Sequence, residues 1–118
     1  MIRRLALSLL LCATVAPSAW AADLATGEAI RAAIAGNTVQ GNMLDSGAYS
    51  EFYAVDGAIK GKDYQGTWTV EGDTMCFAYG TDPAMCWNVR LDGDRVAWVK
   101  DGADKGDGTI LPGNPNNF

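Results

Sequence analysis

From Thr38 onward, apolar and polar residues alternate with a period of two, and short turn sequences interrupt the alternation at regular intervals. A period of two places successive side chains on opposite faces of a β-strand. The explicit turns are Asp56-Gly57, Glu71-Gly72-Asp73 and Asp92-Gly93-Asp94. Because Gly and Asp supply positive φ or a local side-chain hydrogen bond, these turns predict tight hairpins between antiparallel neighbours. We expect strands near 38–43, 49–55, 58–62, 65–70, 74–79, 85–91, 95–100 and 107–111.

The segment before these strands has the pattern of one short helix. Thr26 is a suitable N-cap, and Ile30, Ala33 and Ile34 form an apolar stripe at helical spacing. Gly36 suits the position just after the helix. A helix of about ten residues does not persist alone in water, so its stripe must dock on the sheet. The predicted fold class is mainly β: an antiparallel meander curled into a small barrel or a strongly twisted sheet, with one short N-terminal helix packed on it.

The alternation also assigns the side chains of each strand to a face. One face collects large apolar side chains, and we predict that these form the core: Trp68, Val70, Met75, Phe77, Tyr79, Trp87, Val89, Leu91, Val96 and Trp98. Cys76 and Cys86 fall on the opposite face. If the hairpin between them centres near Thr81, the two cysteines face each other across the ladder. Their Cβ atoms would then be roughly 4.5–5.5 Å apart, close to disulfide reach.

The N-terminal residues have the three parts of a secretory signal peptide. Arg3 and Arg4 form a basic start, residues 5–15 are mostly apolar, and Ala19-Trp20-Ala21 is a small-residue cleavage pattern. We predict that residues 1–21 are the signal peptide. The mature chain is then expected in the periplasm or outside the cell.

This cleavage has three alternatives. A cut after Ala22 is the near one, and either cut leaves a single domain over about 22–118. Retention as an anchor is disfavoured because the apolar run is about 11 residues, whereas a membrane-spanning helix needs roughly 20. Lipoprotein processing at Cys12 is disfavoured because Leu11, rather than a small residue, precedes it.

The net charge of the mature chain limits the classes of partner that it can bind. Loss of Arg3 and Arg4 takes the formal net charge from −5 to about −7. Such a surface repels phosphate backbones and anionic headgroups, so we expect no nucleic-acid partner. We also expect no membrane span in the mature chain, because no second hydrophobic segment follows the signal peptide.

Two cysteines remain once Cys12 is removed with the signal peptide. An even count in an oxidising compartment predicts one disulfide, Cys76–Cys86. The alternative is a reactive thiol pair. The spacing is not Cys-x-x-Cys, and the chain has no histidine that would lower a thiol pKa, so a structural bridge is preferred.

The strand predicted near 49–55 carries aromatic groups on both faces. Tyr49 and Tyr53 lie on one side and Phe52 on the other. Contact on both faces is explained by the helix or, alternatively, by a ligand. Because four large aromatic side chains of the predicted core point inward, we expect a filled interior. A partner would then be met at the surface or the rim, with Tyr49, Tyr53 and Tyr64 as candidate binding residues.

Motifs for catalysis, metals and cofactors are missing from the sequence. The absence of histidine removes Ser-His-Asp and Cys-His sites and zinc sites that need imidazole. Asp101, Asp104 and Asp107 do not have the spacing of an EF-hand loop. The other acids concentrate in the predicted turns, where solvation explains them. We therefore predict no catalytic residue, no metal and no cofactor.

Several short motifs of turns, caps and core aromatic residues follow one another along the mature chain. They are Leu24-x-Thr26-Gly27-x-x-Ile30, Gly36-Asn37-Thr38-Val39-x-Gly41, Phe52-x-x-x-Asp56-Gly57, Gly66-Thr67-Trp68-x-Val70-x-Gly72-Asp73, Met75-Cys76-Phe77, Cys86-Trp87-x-Val89, Asp92-Gly93-Asp94 and Pro112-Gly113-Asn114-Pro115. Their order is similar to a group of short exported proteins of Gram-negative bacteria with unknown function, over nearly the whole mature chain. The resemblance implies a periplasmic β-domain with a disulfide, and it carries over no catalytic residue.

Three functions are consistent with these observations. The favoured one is a non-enzymatic binding or interaction domain, such as a lipocalin-like barrel or an inhibitor of a secreted enzyme, that takes an unknown protein or a small apolar ligand. The second is a histidine-free hydrolase, which needs two acids converging in a cleft and a raised pKa on at least one of them. The third is a structural protein of the cell envelope.

Overall fold

The computed structural model of the protein describes residues 23–118. The predicted signal peptide and Cys12 lie outside these residues. None of the described residues belongs to a helix with the length and hydrophobicity that crossing a bilayer requires. One helix, α1, spans Gly27–Ile34, and eight strands follow it: β1 Asn37–Met43, β2 Gly47–Tyr53, β3 Ala58–Gly61, β4 Tyr64–Glu71, β5 Thr74–Ala78, β6 Met85–Asp92, β7 Arg95–Lys100 and β8 Ala103–Leu111.

The strands form a closed barrel in which each pairs antiparallel with the next and β8 pairs with β1. The β1–β8 pairing places Val39 opposite Ile110 and Gly41 opposite Gly108. The predicted antiparallel meander is confirmed, and of its two expected forms the protein has the barrel. Closure removes the unpaired edges that an open sheet would expose.

Three strand boundaries differ by two or more residues from those expected. β2 begins at Gly47 rather than near 49. β2 ends at Tyr53 rather than near 55, because Ala54 begins the turn to β3. β8 begins at Ala103 rather than near 107. Asp101 and Gly102 both have positive φ, 51° and 78°, and form a two-residue hairpin turn by themselves. Residues 103–106, which lie outside the predicted strands, therefore extend β8.

Helix α1 covers the end of the barrel at which β1 begins. Thr26 caps its N-terminus, because the Thr26 hydroxyl accepts a hydrogen bond from a backbone N–H of the first turn at 3.2 Å. Ile30 and Ile34 are fully buried against the core. Just beyond the helix, the Gly36 N–H donates to the carbonyl oxygen of Tyr53 at 2.7 Å. The predicted helix and the docking of its stripe are confirmed.

The half of the barrel next to α1 is filled with side chains. Trp68, Met75, Val89 and Val96 are buried, as the alternation predicts. Trp68 packs edge-on against Tyr53, with ring centroids 6.2 Å apart. Val70 and Leu91 are partly buried against this cluster. Phe77, Tyr79 and Trp87, which are also predicted core residues, are partly buried towards the other end of the barrel.

The C-terminal residues 112–118 are held against β1 and β2 by side-chain hydrogen bonds. The Thr38 hydroxyl donates to the Gly113 carbonyl oxygen at 2.8 Å, and the Asn116 side-chain amide donates to the Ser50 hydroxyl at 2.9 Å. Thr38 is fully buried, so its hydroxyl needs such a partner. The tail therefore covers part of the outside of the barrel, and its last residue, Phe118, lines a surface pocket together with Tyr64.

Cys76 and Cys86 form the predicted disulfide. They are direct partners in the register between β5 and β6, and they lie on the face opposite Met75 and Phe77. The bond therefore links two neighbouring strands from outside the barrel. It closes a short loop, with a sequence separation of 10.

Replacing both cysteines removes the constraint that the disulfide places on the unfolded chain. We expect Cys76→Ala/Cys86→Ala to lower the free energy of unfolding by about 2–3 kcal/mol. Urea denaturation followed by tryptophan fluorescence measures this loss, and the reduced wild-type protein is the control. A loss below about 0.5 kcal/mol in the variant would contradict a stabilising role for the bridge.

Candidate functional site

The end of the barrel opposite α1 opens into a cavity of about 350 Å³. Met43 lies here at the end of β1, Tyr64 at the start of β4 and Met85 at the start of β6, and all three line the cavity. The expectation of a filled interior is therefore correct near α1 and wrong at this end, because the inward side chains here leave a space between them.

Aromatic rings form most of the cavity wall. The Phe77 ring meets the Trp98 ring edge-on at 5.5 Å and the Tyr53 ring at 6.0 Å. Such edge-to-face contacts favour one arrangement of the rings, so the wall is shaped before a ligand arrives. The full set of lining aromatic residues is Tyr49, Tyr53, Tyr64, Phe77, Tyr79, Trp87 and Trp98.

Glu51 is the one acidic side chain of the wall that is buried, with 7% of its surface exposed. It lies between Tyr49 and Tyr53 on β2, so the alternation of the strand directs its carboxyl group inward. The Tyr79 hydroxyl donates to it, 2.8 Å from Oε2 and 3.0 Å from Oε1. The Tyr53 hydroxyl donates to Oε1 at 3.2 Å. A hydroxyl from β2 itself and one from the residue just after β5 thus converge on one carboxyl group.

Burial has the largest effect on the titration of this cluster. It raises the pKa of Glu51, because the ionised carboxylate loses contact with water, while hydrogen bonds from Tyr79, Tyr53 and Tyr64 act in the opposite direction. Burial and the nearby Glu51 charge raise the pKa values of these three tyrosines well above the ordinary value. The phenols therefore keep their protons at neutral pH and remain donors to Glu51.

A second series of hydrogen bonds lies in the cavity wall. The Trp98 indole N–H donates to the Tyr49 hydroxyl at 2.7 Å, and that hydroxyl donates to the Asp107 carbonyl oxygen at 2.8 Å. Burial raises the pKa of Tyr49 to about 12. Gly108 leaves the room that this arrangement needs, because a Cβ atom there would overlap the Tyr49 hydroxyl.

All three tyrosines that the sequence predicts as binding residues line the cavity. Tyr53 is deep, with 1% exposure, Tyr49 is half-buried, and Tyr64 is 43% exposed at the rim. Their role in binding stays a prediction. Sequence reasoning missed Glu51 and the partnership of Tyr79 with it. The available signal was a charged residue at an inward position of β2.

The acids of the predicted turns are exposed. Asp104, whose spacing from Asp101 and Asp107 does not fit an EF-hand loop, forms an ion pair with Arg90. Glu71 lies near Cys76 and Cys86, with potential ligand atoms within 4.8 Å of one another. Both sulfurs belong to the disulfide, so they offer no thiolate to a metal ion.

Neither a protein-family model, nor a curated protein, nor a solved structure matches the chain. The resemblance to short exported proteins of Gram-negative bacteria therefore stays a prediction. The function has to be inferred from the geometry and the chemistry of the cavity, since a barrel fold by itself specifies no activity.

The raised pKa of Glu51 has a consequence for stability. The folded protein binds this proton more tightly than the unfolded chain, so the cost of ionising Glu51 is absent at low pH. The cost grows as the pH rises through the pKa in the folded state. Glu51→Gln removes this cost. We expect the stability of Glu51→Gln relative to wild type to increase from acidic to neutral pH, by at most about 1.4 kcal/mol per pH unit.

Urea unfolding at a series of pH values measures this difference. Glu71→Gln is the matched control, because Glu71 is exposed and lies outside the cavity. If the difference in stability between Glu51→Gln and wild type did not change with pH, Glu51 would not carry the burial cost described here.

Proposed function

We propose that the protein is an exported, non-enzymatic binding domain that holds one small, largely apolar ligand in the open end of its barrel. The observation that carries this proposal is the cavity of about 350 Å³, which lies between rigid aromatic walls with the Glu51 carboxyl group as a buried polar contact. Small-molecule sites in proteins are typically concave, mostly apolar and provided with a few placed polar groups. Barrels of this size either fill their interior or hold one small ligand.

Two features support a location outside the cytoplasm. The predicted signal peptide at residues 1–21 directs export, and the Cys76–Cys86 disulfide suits an oxidising compartment. We propose the periplasm or the extracellular medium as the place where the ligand is met. A protein partner, the other expected class, would have to dock at the rim, where Leu44 and Met85 are exposed.

A carboxylate-dependent hydrolase is the second candidate. It is supported by Glu51, whose pKa is raised, and by Asp82, which lines the same cavity. Binding is preferred because Tyr79 and Tyr53 donate hydrogen bonds to the Glu51 oxygens and so favour the ionised carboxylate, whereas a catalytic acid must hold a proton and give it to a substrate. Asp82 is also exposed, while Glu51 is buried.

Three indole groups provide a spatial test of the proposed site. Trp87 and Trp98 line the cavity, whereas the Trp68 indole N–H donates to the Ala54 carbonyl oxygen at 3.0 Å, near the end covered by α1. We expect the neutral probe 2-phenylethanol to shift the indole N–H signals of Trp87 and Trp98 saturably in ¹H–¹⁵N NMR spectra. The dissociation constant should be on the order of 0.1–1 mM.

The Trp68 signal is the internal control and should not move. Equal shifts of all three signals would indicate weak binding over the whole surface. The absence of any saturable shift for a set of neutral and charged aromatic probes would contradict a ligand site at this end of the barrel.

A further inference from the structure

The charged side chains that line the cavity are all acidic. Two acids line it, Glu51 in the interior and Asp82 at the rim. None of the described residues that line the cavity is a lysine or an arginine. An anionic ligand would therefore meet repulsion without a compensating charge among the lining side chains, while a cation would meet attraction at the mouth and inside.

The hydrogen-bond partners of Glu51 do not include a positive charge. The hydroxyls of Tyr79 and Tyr53 are neutral, so they satisfy the carboxylate as hydrogen-bond donors but not as counter-ions. A buried charge is costly unless it is paired. A cation that enters the cavity would supply the missing partner, and the carboxylate would then lose less by its burial.

The walls suit the same kind of ligand. The faces of tyrosine and tryptophan rings carry negative potential and attract cations within about 6 Å of the ring centroid. Two such contacts already occur in this protein. The Lys100 ammonium lies 5.5 Å from the centroid of the Trp87 ring, and the Arg31 guanidinium lies 5.9 Å from that of the Trp68 ring.

We propose that the cavity selects a small organic cation, an ammonium group attached to an apolar body, with Glu51 as the counter-ion and the aromatic rings around it. This inference rests on the proposed binding function and specifies its ligand class. The ammonium group lies against the Glu51 carboxylate, and the apolar body contacts walls such as Phe77 and Trp98. The volume of about 350 Å³ accommodates one aromatic ring with a short side chain.

Three ligands of similar shape test whether the cavity prefers a cationic ligand. Phenethylammonium, 2-phenylethanol and phenylacetate carry the same ring with a cationic, a neutral and an anionic end. In NMR titrations at neutral pH, we expect phenethylammonium to bind at least about tenfold more tightly than 2-phenylethanol, and phenylacetate to bind most weakly. This comparison needs no variant, so it does not depend on how well a substitution folds.

Variants then assign the selectivity to one residue. Glu51→Gln should reduce the affinity for phenethylammonium to about that for 2-phenylethanol. Glu71→Gln, an exposed change outside the cavity, should keep the wild-type preference. Asp82→Asn should weaken cation binding by less than about threefold, because exposed charges are screened by water and salt.

The outcomes separate the two proposals. If 2-phenylethanol or phenylacetate binds as tightly as phenethylammonium, with saturable shifts of the Trp98 indole, the cavity is a ligand site but the inferred cation class is wrong. A preference that survives in Glu51→Gln, or one that is lost in Asp82→Asn, also overturns the inference. If none of the three ligands shifts the Trp98 indole, the proposed binding function itself fails.

Discussion

Pairing of β8 with β1 closes the sheet, and closure gives the inward side chains one bounded volume to share. The size of these side chains decides where the volume is filled. Close to α1, Ile30, Ile34 and Trp68 fill it. Towards the other end, Gly106 and Gly108 of β8 are inward positions without side chains, and they leave space for Met43 and Tyr49. The cavity therefore has two causes. The inward side chains fill the barrel unevenly, and α1 covers one end of the barrel and leaves the other open.

Closure also explains the position of Glu51. In an open sheet an inward carboxyl group could turn towards water at an edge, whereas in a closed barrel it stays among the inward side chains. Tyr53 and Tyr79 provide hydrogen bonds there, and burial still raises the pKa of Glu51. A core optimised only for stability would place an apolar side chain at this position. The buried carboxylate therefore lowers the free energy of unfolding, and its proposed role as the counter-ion of the ligand explains why the protein has it.

Much of the fold was predictable from local patterns. The period-two alternation located the strands, Thr26 located the start of the helix, and the opposed positions of Cys76 and Cys86 gave the disulfide. The boundary of β8 was missed, although Asp101-Gly102 is the same kind of hairpin dipeptide as those recognised elsewhere. Barrel closure and the choice of the open end depend on contacts between distant parts of the chain. The same holds for the cluster around Glu51, because Tyr79 follows β5 and reaches β2 only when the barrel is formed.

A crystal structure of the protein in complex with phenethylammonium is the most direct test of this account. We predict that the ligand lies in the open end of the barrel, with its nitrogen within hydrogen-bonding distance of the Glu51 carboxylate and its ring against Phe77 or Trp98. A barrel whose open end is closed by its own side chains at saturating ligand would contradict the account. A ligand bound with its nitrogen directed away from Glu51 would contradict it as well.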